Sequence, residues 1–283
     1  MDENRAQELI STNFPELTIK EIKKIGEGTG NVAYEINTDF VFRFPKKPEN
    51  QKQLEQEISF QEILKNYSSL PIPEFKYLPN DHSFVGYQKL LGTPLLYIHE
   101  EFKGWDNFSQ QIGDFLTKLH TIPTEKLRGL NLLTENKTFE DWQKYSYPFY
   151  EKTRYLIPGK YISGIERYFQ STPQGGVSGL VFCHNDLGIE HILISENEVS
   201  GIIDWGGVAL TDPASDFARI YRDVGEKAID GVLAVYMPTQ INKKELRDRA
   251  MFYGKCLIFE DLFCGIRDDV YLQKSLAALE WMF

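Results

Sequence analysis

What this chain has little of narrows its possibilities first. It carries three cysteines, Cys183, Cys256 and Cys264. An odd number without metal-ligand spacing excludes a disulfide framework and points to a reducing compartment. Cys256 and Cys264 fall in an apolar pattern and are expected to be small buried hydrophobes. No apolar run approaches the ~18 residues of a membrane span. The opening MDENRAQELI is acidic and lacks the cationic and apolar regions of a secretory leader, so a soluble, cytoplasmic protein is expected. Internal repeats and low-complexity tracts are missing as well. Positive charge is also short, with 31 Lys and Arg against 41 Asp and Glu, a formal net charge of −10. Such a surface repels nucleic acid and anionic membranes, and neither is expected as a partner.

What is present is ordinary globular material, 42% hydrophobic and 25% charged over 283 residues. That length suits about two domains and a core that needs no staple. Residues 4–13 read as a short helix. LTIKEIKKIGEGTGNVAYEINTDFVFRFPKK (17–47) alternates apolar and polar positions between breaks at 26–30 and 37–39, the pattern of three antiparallel strands. Residues 50–66 suit an amphipathic helix. The Pro-punctuated LPIPEFKYLP is extended loop or edge strand, and 83–92 is another strand. Helical periods dominate 106–121, 138–170, 214–236 and 243–281, while 180–204 reads as two short strands around a loop. A β-rich part, 1–92, therefore precedes a mostly helical part, 93–283, with room for a cleft between them.

Three stretches carry chemistry. Gly26, Gly28 and Gly30 lie between two strands; they form either a good turn or a nest of N–H groups that lets phosphate approach closely. A strand follows them, so they are not a dinucleotide fingerprint. Arg43 is a lone cation in the apolar strand FVFRFP. It either pairs with an anion, Glu57 on the next helix being the candidate, or faces solvent. The third stretch is HNDLGIEHILISENEVSGIIDWGG (184–207). Asp186 and Asp204 each end an apolar strand, with His184 and His191 beside them. One carboxylate to orient a hydroxyl, and another with His191 to hold Mg²⁺ on phosphates, is the minimum equipment for phosphoryl transfer.

Taken in order, NFPELTIKEIKKIGEGTGNVAYEI, FVFRFPKK, LPIPEF, FVGYQKLLG, HNDLGIEHIL and GIIDWGGVALTDPASDF resemble the aminoglycoside phosphotransferase family, the 2''-phosphotransferases in particular. The resemblance spans nearly the whole chain. It implies a protein-kinase-like, two-lobed α+β fold, with a nucleotide-binding lobe at 1–92 and a catalytic and substrate lobe at 93–283. It implies transfer of the γ-phosphoryl of ATP or GTP to a hydroxyl of a small molecule, an aminoglycoside first, by a monomer that uses Mg²⁺. Asp186 would be the catalytic base, and His191 and Asp204 the metal ligands. Gly26, Gly28 and Gly30 would cover the phosphates, which Arg43 and Glu57 would clamp. Tyr87, Gln88 and Lys89 would lie on the hinge strand, and Asp216 would brace the catalytic loop.

The sequence departs from that pattern in places. Arg43 stands where the family often has lysine, and Gly207 where the 2'' group usually has an aspartate. Arg219 and Arg222 sit among the acids after Asp216-Phe217. The substrate acids are expected among Asp223, Glu226, Glu260 and Asp261, the last two being either replacement acids or a solvated helix face. Residues 216–236, with Arg43 and His191, are similar to macrolide phosphotransferases. A macrolide, a metabolic alcohol or sugar, and nucleotide binding without turnover remain as alternatives.

Overall fold

The computed structural model describes residues 1–28, 30–130, 132–173, 177, 179–238 and 241–283. After helix α1 (Glu3–Asn13), strands β1 (Ile22–Glu27), β2 (Asn31–Ile36) and β3 (Phe40–Pro45) follow, then helix α2 (Pro48–Tyr67) and strands β4 (Phe75–Tyr77) and β5 (Val85–Gln88). They form one antiparallel sheet in the order β1-β2-β3-β5-β4. The Pro-punctuated stretch gives the short edge strand β4, with Pro71, Pro73 and Pro79 outside the strand itself.

Period-two alternation decides what each face of this sheet does. Val32, Tyr34 and Ile36 of β2, with Phe42 and Phe44 of β3, pack against Ala6 and Ile10 of α1 in a small separate core. The intervening positions, Ala33, Glu35, Val41 and Arg43, face the other way into a cleft. Tyr87 of β5 is opposite Val41 in register and joins that second face.

The rest of the chain adds strand β6 (Thr93–Pro94), helix α3 (Trp105–His120), strand β7 (Leu133–Thr134), and helices α4 (Phe139–Thr153) and α5 (Gly159–Phe169). Strands β8 (Val181–Cys183), β9 (Ile192–Ser195), β10 (Glu198–Ile202) and β11 (Ala209–Thr211) come next. Helices α6 (Ala214–Val224), α7 (Glu226–Val235), α8 (Lys243–Gly265) and α9 (Asp269–Met282) complete the fold. Two three-stranded sheets, β10-β9-β6 and β7-β11-β8, sit among the helices. A second, larger core joins these helices and also takes in Phe60, Leu64, Leu70 and Ile72 from the N-terminal part.

Where the sequence suggests two strands over 180–204, three form. β9 and β10 make a tight hairpin through Glu196 and Asn197, both with positive φ (52° and 63°) as such a turn requires. Cys256 is buried as expected, but Cys264 is exposed, because it falls on the outer side of α8. Among the described residues no helix is long and apolar enough to cross a membrane. The architecture is the expected mixed α+β arrangement, an antiparallel sheet followed by a helical part.

Candidate active site

The loop from β8 to β9 and the exit of β10 bring the two acids to one place. Asp186 and Asp204 both line a cleft of about 710 Å³ beneath the first sheet. His191 lies between them, Nδ1 3.7 Å from Asp186 Oδ2 and Nε2 3.6 Å from Asp204 Oδ2.

Local hydrogen bonds fix this arrangement. His184 is fully buried against the Trp205 ring; its Nε2 is 3.1 Å from the Ile203 carbonyl, and its Nδ1 accepts from the Asp186 N–H. It thereby ties the residue before Asp204 to the backbone of Asp186. Burial lowers the pKa of His184, so the neutral ring these contacts need is favoured. Asp216, on α6, accepts from the backbone N–H groups of His184 (3.0 Å) and Asn185 (2.6 Å). These are the bracing hydrogen bonds that the resemblance implies. His120 Nε2 lies 3.0 Å from Asp216 Oδ2, and its Nδ1 2.8 Å from the Tyr236 hydroxyl. Among the described residues His120, Cys183 and Asp216 cluster closely enough to hold a metal. Both nitrogens of His120 and both oxygens of Asp216 are already engaged, so the cluster is a hydrogen-bonded brace.

Arg43 and Glu57 are both buried and paired, Arg43 Nη2 lying 2.7 Å from each Glu57 oxygen. Burial disfavours the charge on Arg43, but Glu57, Tyr87 and Asp204 outweigh it and the guanidinium stays charged. Its Nη1 is 3.8 Å from Asp204 Oδ1, and its buried Nε has no hydrogen-bond partner among the described residues. Of the two readings of Arg43, the structure shows the paired one.

Burial works to raise the pKa of Asp186, but Arg219 and His191 outweigh it and hold the carboxyl below its ordinary range. The same contest leaves Asp204 low, through His191 and Arg43. For His191, burial lowers the pKa, but Asp186, Glu190 and Asp204 raise it on balance.

Gly26, Gly28 and Gly30 line the cleft roof, and Thr29 between them lies outside the described residues. A Cβ at Gly26 or Gly28 meets no atom within 4 Å among the described residues, and neither has a positive φ. Nothing among the described residues demands glycine at either position, and the space beside both backbones is open.

The other expected positions divide. Tyr87 and Lys89 line the cleft, Lys89 paired with Glu35, whereas Gln88 is exposed and outside the cleft lining. Glu260 lines a smaller pocket of about 170 Å³ with Asn185, Ser215 and Arg219. The other three expected substrate acids are not brought there. Asp223 and Asp261 are buried around Arg222, and Asp223 also meets Lys274 Nζ at 2.5 Å. Glu226 pairs with Arg247 at 2.8 Å. The physical reason for Asp223 and Asp261 is Arg222, which is fully buried, and a buried cation draws acids inward; Glu226 is instead held at the surface by Arg247.

The sequence reading missed Glu135, Lys137, Trp142 and Tyr145, which line the smaller pocket. It also missed Arg219, whose Nη2 lies 2.9 Å from Asp186 Oδ1. The signal was there: Asp216, Arg219 and Arg222 recur every three residues on one helix and so share a face.

The donors present fit a divalent cation. Asp204 offers a carboxylate, the ligand Mg²⁺ prefers. His191 Nδ1 is 2.8 Å from the Asp186 carbonyl, which can only accept, so Nδ1 carries hydrogen and Nε2 faces Asp204 with a free pair in the neutral ring.

Comparison with known proteins places the fold. The GDP and kanamycin complex of APH(2'')-IIIa superposes with a TM-score of 0.81 at 24% identity, covering 98% of both chains. Macrolide 2'-phosphotransferase type I superposes at 0.69 and 18% identity, over 99% of this chain and 98% of that one. These likenesses show a shared fold. An uncharacterised protein of Bacillus subtilis (strain 168), YcbJ, is 40% identical over 62 residues, 22% of this chain. The match spans about a fifth, 20%, of that relative's length. A model of the APH phosphotransferase enzyme family matches residues 21–252, most of the chain including every element of the cleft, and the chain belongs to that family.

Proposed function

We propose that the chain is a cytoplasmic, monomeric small-molecule kinase that moves the γ-phosphoryl group of ATP or GTP to a hydroxyl of an antibiotic, an aminoglycoside first. Residues 1–92 would form the nucleotide lobe and 93–283 the catalytic and acceptor lobe. One observation carries the reading: Asp186, His191, Asp204 and Arg43 converge in a single cleft whose apolar walls, Val41, Leu193 and Ile203, suit a purine.

The chain's own groups would work by position and charge. Gly26 and Gly28 would let backbone N–H groups approach the phosphates, and Arg43 has donors left over from Glu57 to meet them. Asp204 and His191 would hold Mg²⁺, which when bound supplies charge neutralisation to the triphosphate. Asp186, kept ionised, would accept a hydrogen bond from the acceptor hydroxyl and aim its oxygen at the γ-phosphorus. The hydroxyl proton would pass to this carboxylate as the new P–O bond forms and the bond to the nucleoside diphosphate breaks. The acceptor would enter from the smaller pocket, where Glu135 and Glu260 can meet ammonium groups beside Trp142 and Tyr145. APH(2'')-IIIa was seen with kanamycin bound, which supports the same class here.

One observation favours a second reading. Lys137 and Arg219 share that pocket with the two acids, so a less cationic acceptor, a macrolide or a metabolic alcohol, also fits. Nucleoside diphosphate release measured with kanamycin, gentamicin, a macrolide and simple amino alcohols tests both. Turnover stimulated by an aminoglycoside, with a matching rise in the resistance of a susceptible bacterium, is expected. Tight nucleotide binding without turnover on any acceptor would refute the kinase reading.

A further inference from the structure

The two arginines after Asp216 stand out in the sequence as cations where a polycationic acceptor would want acids. Arg222 is fully buried within its own ion cluster and never reaches the acceptor pocket. Arg219 does reach it. Its Nη2 is 2.9 Å from Asp186 Oδ1, its Nε is 3.4 Å from the Asn185 carbonyl, and its side chain is 17% exposed.

We infer that Arg219 is the positioning residue of the catalytic carboxylate, holding Asp186 in the orientation that receives the acceptor hydroxyl. This rests on the kinase reading above. Three features support it. Asp186 lines the nucleotide cleft while Arg219 lines the acceptor pocket, so their contact is the junction between the two. Asp186 is flanked on its other side by His191, whose Nδ1 is held by the Asp186 carbonyl. Arg219 alone among these neighbours reaches both the Asp186 carboxylate and the carbonyl of Asn185, a residue with φ of 63°. One rigid fork therefore spans the acid and the twisted backbone that carries it. Electrostatics act in the same direction. A carboxylate beside a triphosphate meets like charge, and a fixed guanidinium offsets that repulsion without competing for the nucleotide's own ligands. Gly207 fits the same picture, since a Cβ there would lie 3.1 Å from Asp186 Cβ and 3.3 Å from the His184 carbonyl. A side chain at 207 would crowd the acid that Arg219 holds.

The test measures nucleotide Kd, thermal midpoint, and kcat and KM on a responsive acceptor for wild type, Arg219→Gln and Arg219→Lys. A misplaced catalytic group costs on the order of 100-fold. Arg219→Gln is expected to lower kcat by about that factor, with nucleotide Kd and thermal midpoint little changed. Arg219→Lys keeps the charge but not the fork and should recover only part of the loss. Guanidinium at tens of millimolar, below denaturing levels, should restore part of the turnover of Arg219→Ala. An unchanged kcat in Arg219→Gln overturns the positioning role and leaves the kinase reading standing. A loss of kcat accompanied by lost nucleotide binding and a lower midpoint overturns it too, since that is a structural role. A wild type that turns over no acceptor refutes the kinase reading, and the positioning role falls with it.

Discussion

Asp216 accepts a 2.6 Å hydrogen bond from the backbone N–H of Asn185, the residue just before the candidate catalytic acid. Asn185 has φ of 63°, a conformation that a non-glycine residue keeps only when its surroundings enforce it. Asp216→Ala would strand two backbone N–H groups and His120. The expected loss is about 1–3 kcal/mol for each buried donor left unsatisfied, read by urea unfolding. Asp216→Asn keeps one acceptor oxygen and should lose less. An Asp216→Ala protein within about 0.5 kcal/mol of wild type, the scatter of inert surface changes, would mean that the brace is not what holds the loop.

Asp186 and Asp204 should separate in their effects. Asp186→Asn keeps shape and removes the anion, so turnover is expected to fall on the order of 100- to 10,000-fold while nucleotide still binds. Asp204→Ala should abolish turnover and also remove the dependence of nucleotide affinity on Mg²⁺, measured by calorimetry with and without the ion. Nucleotide binding by Asp204→Ala that still tightens with Mg²⁺ as in wild type would remove Asp204 from the ligand set.

The Arg43–Glu57 pair distinguishes stability from function. Removing Glu57 alone leaves a buried guanidinium with only the more distant Asp204, 3.8 Å away, at an expected cost of up to about 3–5 kcal/mol. Replacing both, as Arg43→Met with Glu57→Leu, removes both desolvated charges and should leave stability near wild type. Nucleotide affinity should nevertheless be lost in the double variant. If the double variant binds nucleotide as wild type does, Arg43 is a structural cation only.

The strands and the two strand-end acids were legible because each rests on a local pattern. NVAYEI alternates, so its inward and outward residues can be assigned by parity, and β2 is buried at every second position. Asp186 and Asp204 stand where apolar runs stop. Strands β6, β7 and β11, two or three residues long, have no period to show. Asp223 and Asp261 were misplaced for a different reason. An acid on a helix face looks alike in sequence whether that face meets water or another helix, and here α6, α8 and α9 close over it. Arg219 was visible as a departure, but which carboxylate it meets depends on how α6 lies against the loop between β8 and β9.

That closed face has a pH signature. Arg222 and Lys274 face three acids there, Asp223, Glu190 and Asp261. One negative charge is in excess, and burial pushes the Asp261 carboxyl up to about 6 against the pull of Arg222 and Lys274. The geometry agrees. The single Arg222 Nε–H is taken by Asp223 at 2.6 Å, leaving Asp261 Oδ2 buried without a hydrogen bond among the described residues. An acid whose folded pKa lies above its unfolded value binds more protons when folded, so stability falls as pH rises between about 4 and 6 and the deficit is complete above that. Glu190 works oppositely, held down to about 2 because Arg222 and Lys274 outweigh its burial, and its contribution is lost only as pH falls from about 4 towards 2. Asp261→Asn mimics the protonated form and balances the cluster at two against two. It should be more stable than wild type at pH 7–8, by up to about 3 kcal/mol from the size of the shift, and the gap should close as pH drops to about 4. Urea unfolding of both proteins across that range measures the gap. A gap that stays constant with pH, or a variant less stable than wild type at pH 8, would show that Asp261 is charged in the folded protein without penalty.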